Sequence, residues 1–221
     1  MFVDLVFRLT GDSIPSDHGY TLYSSLSALR PALHQATWLG IHPINGLPAN
    51  RRVLKLTQRS RLRFRLPLEH LSELLPLAGK RVTLTNNGNS STIRIGLPEV
   101  HTLKPSPELF SRCVFIKLSS AEKAELNPSR EMFLAAAEAQ LRQLEVEGNV
   151  WIDDRRDEQG HEFSRRVLHI KNRTVVGYAV HIRNLSDEHS IRLQEVGLGG
   201  RRRMGGGLFH PVAHLKEAVN P

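Results

Sequence analysis

Phe163-Ser-Arg-Arg-Val-Leu-His-Ile-Lys171 and Thr174-Val-Val-Gly-Tyr-Ala-Val-His-Ile182 are two strand-like runs joined by Asn172-Arg173, a gap short enough to pair them as a hairpin. Working upstream, Pro128 to Val146 is an Ala-, Leu- and Glu-rich helix, with Pro128 in the first turn, where a missing N–H costs nothing. Before it, Leu109 to Leu118 is an apolar strand. Downstream, a helix from about Glu188 to Val196 runs into a glycine-rich stretch. The hairpin between two helices gives this half the order strand–helix–strand–strand–helix–strand.

The first half repeats that order. Phe2 to Leu9 alternates loosely and reads as a strand. Ser16 or Asp17 can cap a helix starting near His18, in which Leu22, Leu26, Leu29 and Leu33 recur at spacings of four, three and four as one buried stripe. Pro31 removes a backbone donor and should end the regular helix nearby. Residues 38–44 form a short strand, residues 51–66 a hairpin or paired strands, and Pro67 to Leu77 a short helix stopped by Gly79. Strand-like segments 80–86 and 91–97 meet at Asn86-Asn87-Gly88-Asn89, a hairpin turn signal. His101 to Pro107, with two prolines, reads as a linker. The expectation is an α+β chain of two tandem ferredoxin-like (RRM-like) βαββαβ domains, residues 1–100 and 108–221, the second carrying the glycine-rich loop 197–207. The duplication is one of pattern, without a sequence-level repeat between the halves.

With 221 residues, 40% of them hydrophobic, the chain can bury a real core. Its net charge of +8 favours an acidic partner, most simply nucleic acid. The single cysteine, Cys113, excludes an intramolecular disulfide and a Cys-cluster zinc site, and its apolar setting reads as a small buried residue. The N-terminus lacks the basic region of a signal peptide, and no apolar run approaches the ~18 residues of a membrane span. The expected location is the cytoplasm, with no membrane partner.

The loop Gly197-Leu-Gly-Gly-Arg-Arg-Arg-Met-Gly-Gly-Gly207 pairs glycines at both rims with Arg201, Arg202 and Arg203 between them. Glycines let a backbone approach a ligand closely, and guanidinium forks suit phosphate oxygens. That combination suggests a polyanion-binding loop; the competing reading is a flexible basic surface loop. Gly79-Lys80 is followed by Arg81, so no phosphate-loop NTPase motif exists. A dinucleotide fingerprint should lie early in the chain with an acidic residue beyond it, whereas only Glu217 follows here.

On these residues the chain resembles the CRISPR repeat-processing endoribonucleases of the RAMP superfamily, in the form associated with the MYXAN subtype. The resemblance rests on the glycine loop near the C-terminus, Asp17-His18-Gly19-Tyr20, Leu33-His34-Gln35, Gly40-Ile41-His42-Pro43-Ile44 and Ser190-Ile-Arg-Leu-Gln-Glu195. It implies two ferredoxin-like domains and cleavage of precursor CRISPR RNA without a metal or other cofactor. It also implies attack of the 2′-hydroxyl on the adjacent phosphate, leaving a 2′,3′-cyclic phosphate and a 5′-hydroxyl. The implied partners are a repeat stem-loop and, beyond it, subunits of a CRISPR effector complex. A non-catalytic guide-RNA-binding subunit of the same superfamily is the alternative, and histidines near the first helix are what such a subunit would not need.

The reaction needs proton transfer groups, for which histidine is suited, and positive charge on the developing phosphorane. His34 matches the family's histidine near the first helix, with Tyr23, Ser27 and Arg30 on the same helical face. His42, between apolar neighbours, is the second candidate, with a packed strand histidine as the other reading. Tyr20 either positions the scissile phosphate or packs in the core; His18 at the helix N-terminus reads as structural. Arg59, Arg61, Arg63 and Arg65 recur every second residue, which in a strand sets all four on one face for RNA, or merely for solvent. Arg165, Arg166 and Lys171, with Arg173, form a basic group on the 163–173 hairpin, the region that in the family holds the repeat stem. Lys117 is a reserve candidate near the loop or phosphate. Aromatic content is 6%, which makes base stacking a minor theme and charge and shape the main ones.

Overall fold

The computed structural model describes residues 1–50, 52–86, 88–117 and 129–212. The chain divides into two compact units: Met1–Leu103 together with Arg203–Gly205, and Lys104–Arg202 together with the stretch from Gly206.

In the first unit β1 (Phe2–Thr10) turns Val3, Leu5, Phe7 and Leu9 into the core, the alternation its sequence implies. It lies between β6 (Arg61–Pro67) and β8 (Asn89–Thr102), antiparallel to both. A short β3 (Gly40–Ile41) flanks β6, and β7 (Arg81–Asn86) flanks β8. The order β3-β6-β1-β8 is the second–third–first–fourth arrangement of a ferredoxin-like sheet, to which β7 adds a fifth strand. A separate small sheet holds β2 (Ser13–Pro15), β5 (Val53–Lys55) and β4 (Leu47–Asn50), in that order. Residues 51–66 are therefore not one hairpin: β5 pairs with β4, just before it in the chain, and with β2, whereas β6 pairs with β1 and β3 in the other sheet. β8 also runs through His101 and Thr102, so the first residues of the expected linker are strand.

Helix α1 (Gly19–Leu29) buries Leu22, Tyr23 and Leu26. Neither Ser16 nor Asp17 caps it; the N-cap is His18, whose side chain makes no cap bond. Regular helix stops before Pro31, and Pro31–His34 is a 3-10 turn. That break returns Leu33 to the core at 1% exposure and leaves Leu29 outside it at 42%. Pro67 to Leu77 is not one helix but α2 (Leu71–Leu74) between two 3-10 turns.

The second unit contains β9 (Glu108–Val114), α3 (Arg130–Gln143), β10 (Asn149–Trp151), β11 (Arg165–Ile170), β12 (Arg173–Arg183), α4 (Asp187–Val196) and β13 (His210–Pro211). Its strands run β10-β12-β9-β13, with β11 also paired to β12, which is again the ferredoxin-like order. Ser129 and Ser186 cap α3 and α4 by accepting from the N–H groups of Met132 and His189. Phe133, Ala137 and Leu141, four apart on α3, pack with Leu193 of α4 against Leu109, Val114, Val180 and Ile182. The hairpin turns at Lys171, whose φ is 51°, and Asn172, so Arg173 already belongs to β12. Asn87, Leu118 and Pro128 lie outside the described residues. Among those described, no helix is long and apolar enough to cross a membrane.

Candidate active site

Ending α1 one turn early has a chemical consequence. The 3-10 turn leaves His34 exposed and swings its ring beside Tyr23, three helical turns back in sequence. The two rings stack with centroids 6.0 Å apart, and the Tyr23 hydroxyl lies 3.1 Å from His34 Nδ1 and 3.3 Å from the His34 carbonyl oxygen. Arg203, in the same unit, donates to that carbonyl and sets its guanidinium 5.3 Å from the centre of the Tyr23 ring. One imidazole thus has a fixed ring, a neighbouring cation and its Nε2 edge directed away from these bonds. The sequence placed Tyr23 on the same helical face as His34 but gave it no role; the contact of its hydroxyl with His34 supplies one.

The other candidates separate. His42 is buried at 6% exposure beside the Asp4 carboxylate, with Nε2 3.9 Å from Oδ1, and its backbone N–H donates to Arg63 O. An imidazole so enclosed reads as structural. His18, 2% exposed, donates from Nδ1 to Pro15 O and accepts at Nε2 from the Ile44 N–H, so its ring is neutral and fully committed. Tyr20 sits half-buried in the first turn of α1, and Lys117 is exposed.

The arginine ladder needs correction. Leu62, Phe64 and Leu66 do face the core, but Arg59 precedes β6, and Arg65 is 1% exposed in a two-bond pair with Asp4, both bonds 2.9 Å. Arg63 reaches toward the same carboxylate at 3.7 Å. Burial lowers the Arg63 guanidinium below its ordinary value, Asp4 opposes that, and Arg65 and Arg61 add to it. Arg61 donates to Gln58 O and Ser60 O and remains partly exposed. On the hairpin, consecutive Arg165 and Arg166 point to opposite faces of β11. Arg165, Lys171 and Arg173 are exposed, whereas Arg166 is partly buried and donates to Phe163 O and Arg165 O.

The glycine loop departs furthest from expectation. Gly197 and Gly207 have φ of 72° and 67°, and a Cβ on Gly207 would fall 2.0 Å from Leu198 O. These glycines serve the loop's own closure: Leu198 donates to Gly207 O, Gly207 to Cys113 O and Gly200 to Phe115 O. Arg202 donates to the carbonyls of Glu195 and Val196, capping α4, while Arg201 stands exposed. Arg201→Ala should therefore reduce the salt dependence of RNA binding by a slope of about 0.7 without changing the melting temperature. Arg202→Ala should lower the melting temperature instead. Salt titration and thermal melting of both variants check this, and an unchanged slope for Arg201→Ala removes that side chain from the RNA contact.

Cys113, as expected, is buried. Among the described residues, no three His, Cys, Asp or Glu side chains gather as a metal site.

The Cas6 family model, described as Cas6 Crispr, matches residues 3–214. The chain belongs to the Cas6 family. It is 37% identical over 211 residues to the CRISPR-associated endonuclease Cas6 of Myxococcus xanthus strain DK1622, spanning 96% of this chain and 82% of that protein. Among solved structures it is similar to a CRISPR-associated protein Cas6, with a TM-score of 0.67 at 12% identity, covering 96% of this chain and 99% of the other. A Cas6-related protein from Pyrococcus furiosus follows with a TM-score of 0.63 at 13% identity, covering 95% and 98%. These two likenesses concern the fold, and they agree with the tandem ferredoxin-like Cas6 architecture seen here.

Proposed function

We propose that this Cas6 protein cuts precursor CRISPR RNA within its repeats as a metal-independent endoribonuclease of the cytoplasm, with His34 as the general base. The observation carrying the proposal is the Tyr23–His34–Arg203 arrangement. The Tyr23 hydroxyl has one hydrogen and lies within reach of both His34 Nδ1 and the His34 carbonyl. If Nδ1–H donates to the hydroxyl and the hydroxyl donates to the carbonyl, every donor is used and Nε2 keeps its lone pair. That lone pair takes the proton of the 2′-hydroxyl as its oxygen attacks phosphorus. The P–O5′ bond then breaks, the 5′-oxygen takes a proton from solvent, and a 2′,3′-cyclic phosphate remains. Arg203, a fixed cation beside the ring, stabilises charge on the phosphorane. The endonuclease name of the 37% identical relative supports the same reading.

The test is cleavage of a repeat stem-loop in excess chelator. Full activity, with 2′,3′-cyclic phosphate and 5′-hydroxyl ends, is expected. A substrate with deoxyribose at the nucleotide 5′ to the scissile phosphate should bind and stay intact. Binding without cleavage of the all-ribose RNA would instead mark a guide-RNA-holding subunit. Association with other CRISPR effector subunits belongs to the same proposal and is read from co-purification with bound product.

A further inference from the structure

The register of the second sheet aligns four rings that the mechanism does not use. Trp151 of β10 pairs with His181 of β12, His181 with Phe110 of β9, and Phe110 with His210 of β13. One rung crossing all four strands is therefore ring, ring, ring, ring. Successive centroids are 5.0, 4.7 and 5.8 Å apart. The next residues along β9 and β12, Leu109 and Ile182, belong to the core that α3 and α4 cover, so strand alternation puts the rung on the opposite face. All four rings are partly exposed there. On the neighbouring rung the Arg183 guanidinium lies 4.3 Å from the Trp151 ring centre.

We propose that this rung is a stacking platform for unpaired bases of the RNA, outside the stem-loop that is cut. The proposal rests on the RNA-cleaving reading above for its ligand, and on the rings alone for its chemistry. The rings lie in a row across four of the sheet's five strands, inclined to one another by 72°, 53° and 88°, and offer partly exposed faces and edges to single-stranded bases, each of which has a π-face. The charge around the row fits a polyanion. Glu108 is spent on His181 Nδ1 at 2.8 Å and Arg183 Nε at 3.0 Å, and Asp153 is paired with Arg155. Arg112, two residues beyond Phe110, and Arg166 are each held below the ordinary guanidinium value by burial, and Arg166 lowers Arg112 further. Phosphates arriving beside them offset that cost. Burial likewise lowers His181 despite Glu108, which favours its neutral, stacking form.

Trp151 is one of two tryptophans, so the full chain carrying Trp38→Phe makes it the sole indole reporter. Heptauridylate should quench its fluorescence. Trp151→Ala should weaken heptauridylate binding about ten- to a hundred-fold, with the salt slope unchanged, and Trp151→Phe should restore most of the loss. Cleavage of a minimal repeat stem-loop should stay near wild type in both. Absence of quenching, wild-type affinity in Trp151→Ala, or a loss seen only as a changed salt slope overturns the platform; a protein-binding role for the rung would give the first of these. Should Trp151→Ala melt early, Phe110→Leu, which keeps bulk and removes the π-face, carries the same comparison. Quenching without stem-loop cleavage would leave the platform standing and sink the nuclease reading, so the two failures are distinguishable.

Discussion

His34→Ala is expected to lower the single-turnover cleavage rate of repeat RNA by about 10²–10⁴-fold, the span of general acid–base catalysis. Affinity for the RNA should hardly change, because a neutral imidazole attracts phosphate weakly. The fold should survive, since His34 is exposed and its backbone remains tied by Tyr23 and Arg203 at the carbonyl. Tyr23→Phe keeps the ring and the packing but removes the hydroxyl that orients Nδ1, so it should slow cleavage by a smaller factor. His42→Ala is the control: its ring is buried beside Asp4, and the expected damage is to stability. Single-turnover kinetics and thermal melting on the same preparations separate the two. Near wild-type cutting by His34→Ala with loss in His42→Ala would transfer the catalytic role to His42. If neither matters, the histidine mechanism is wrong, and Tyr20 or Lys117 becomes the next side chain to test.

What could be read from the chain was what depends on neighbours in sequence. Period-two alternation placed Leu62, Phe64 and Leu66 in the core, and the strand and helix order carried the ferredoxin-like architecture of both halves. The role expected of Pro31 was equally local, because a missing N–H acts on its own turn. Pairings across long separations were not legible. Asp4 is a lone charge in the apolar run Phe2-Val-Asp-Leu-Val-Phe7, and nothing beside it in sequence points to Arg65, 61 residues on. The rim glycines look alike in sequence whether they admit a ligand or their own backbone, and the Leu198–Gly207 contact shows the second use. The ring row needed the register of four strands at once, which no window of sequence contains; two of its rings are histidines, which the 6% aromatic content does not count.

The buried Asp4–Arg65 pair gives the largest expected effect on stability. The two residues sit directly opposite each other in the β1–β6 register, with Asp4 at 7% and Arg65 at 1% exposure. Asp4→Ala leaves a guanidinium buried without its two-bond partner, and Arg63 loses the same carboxylate. Such truncations of buried pairs cost about 3–5 kcal/mol. For a unit of this size that is a fall in melting temperature of roughly 10–25 °C. The cost comes from stranding a charge, so removing both charges should be far milder. Asp4→Leu combined with Arg65→Met is expected to recover most of the lost stability, because replacing a buried pair by apolar side chains of similar volume is often neutral. Thermal melts of the single and double variants measure the difference. A double variant as unstable as Asp4→Ala would mean that the first sheet needs the hydrogen bonds themselves to hold β1 in register with β6. In that case Arg65 is part of the scaffold in a stricter sense than charge balance. Arg65, at 1% exposure, does not face solvent, whereas Arg59 is exposed and Arg61 and Arg63 are partly exposed.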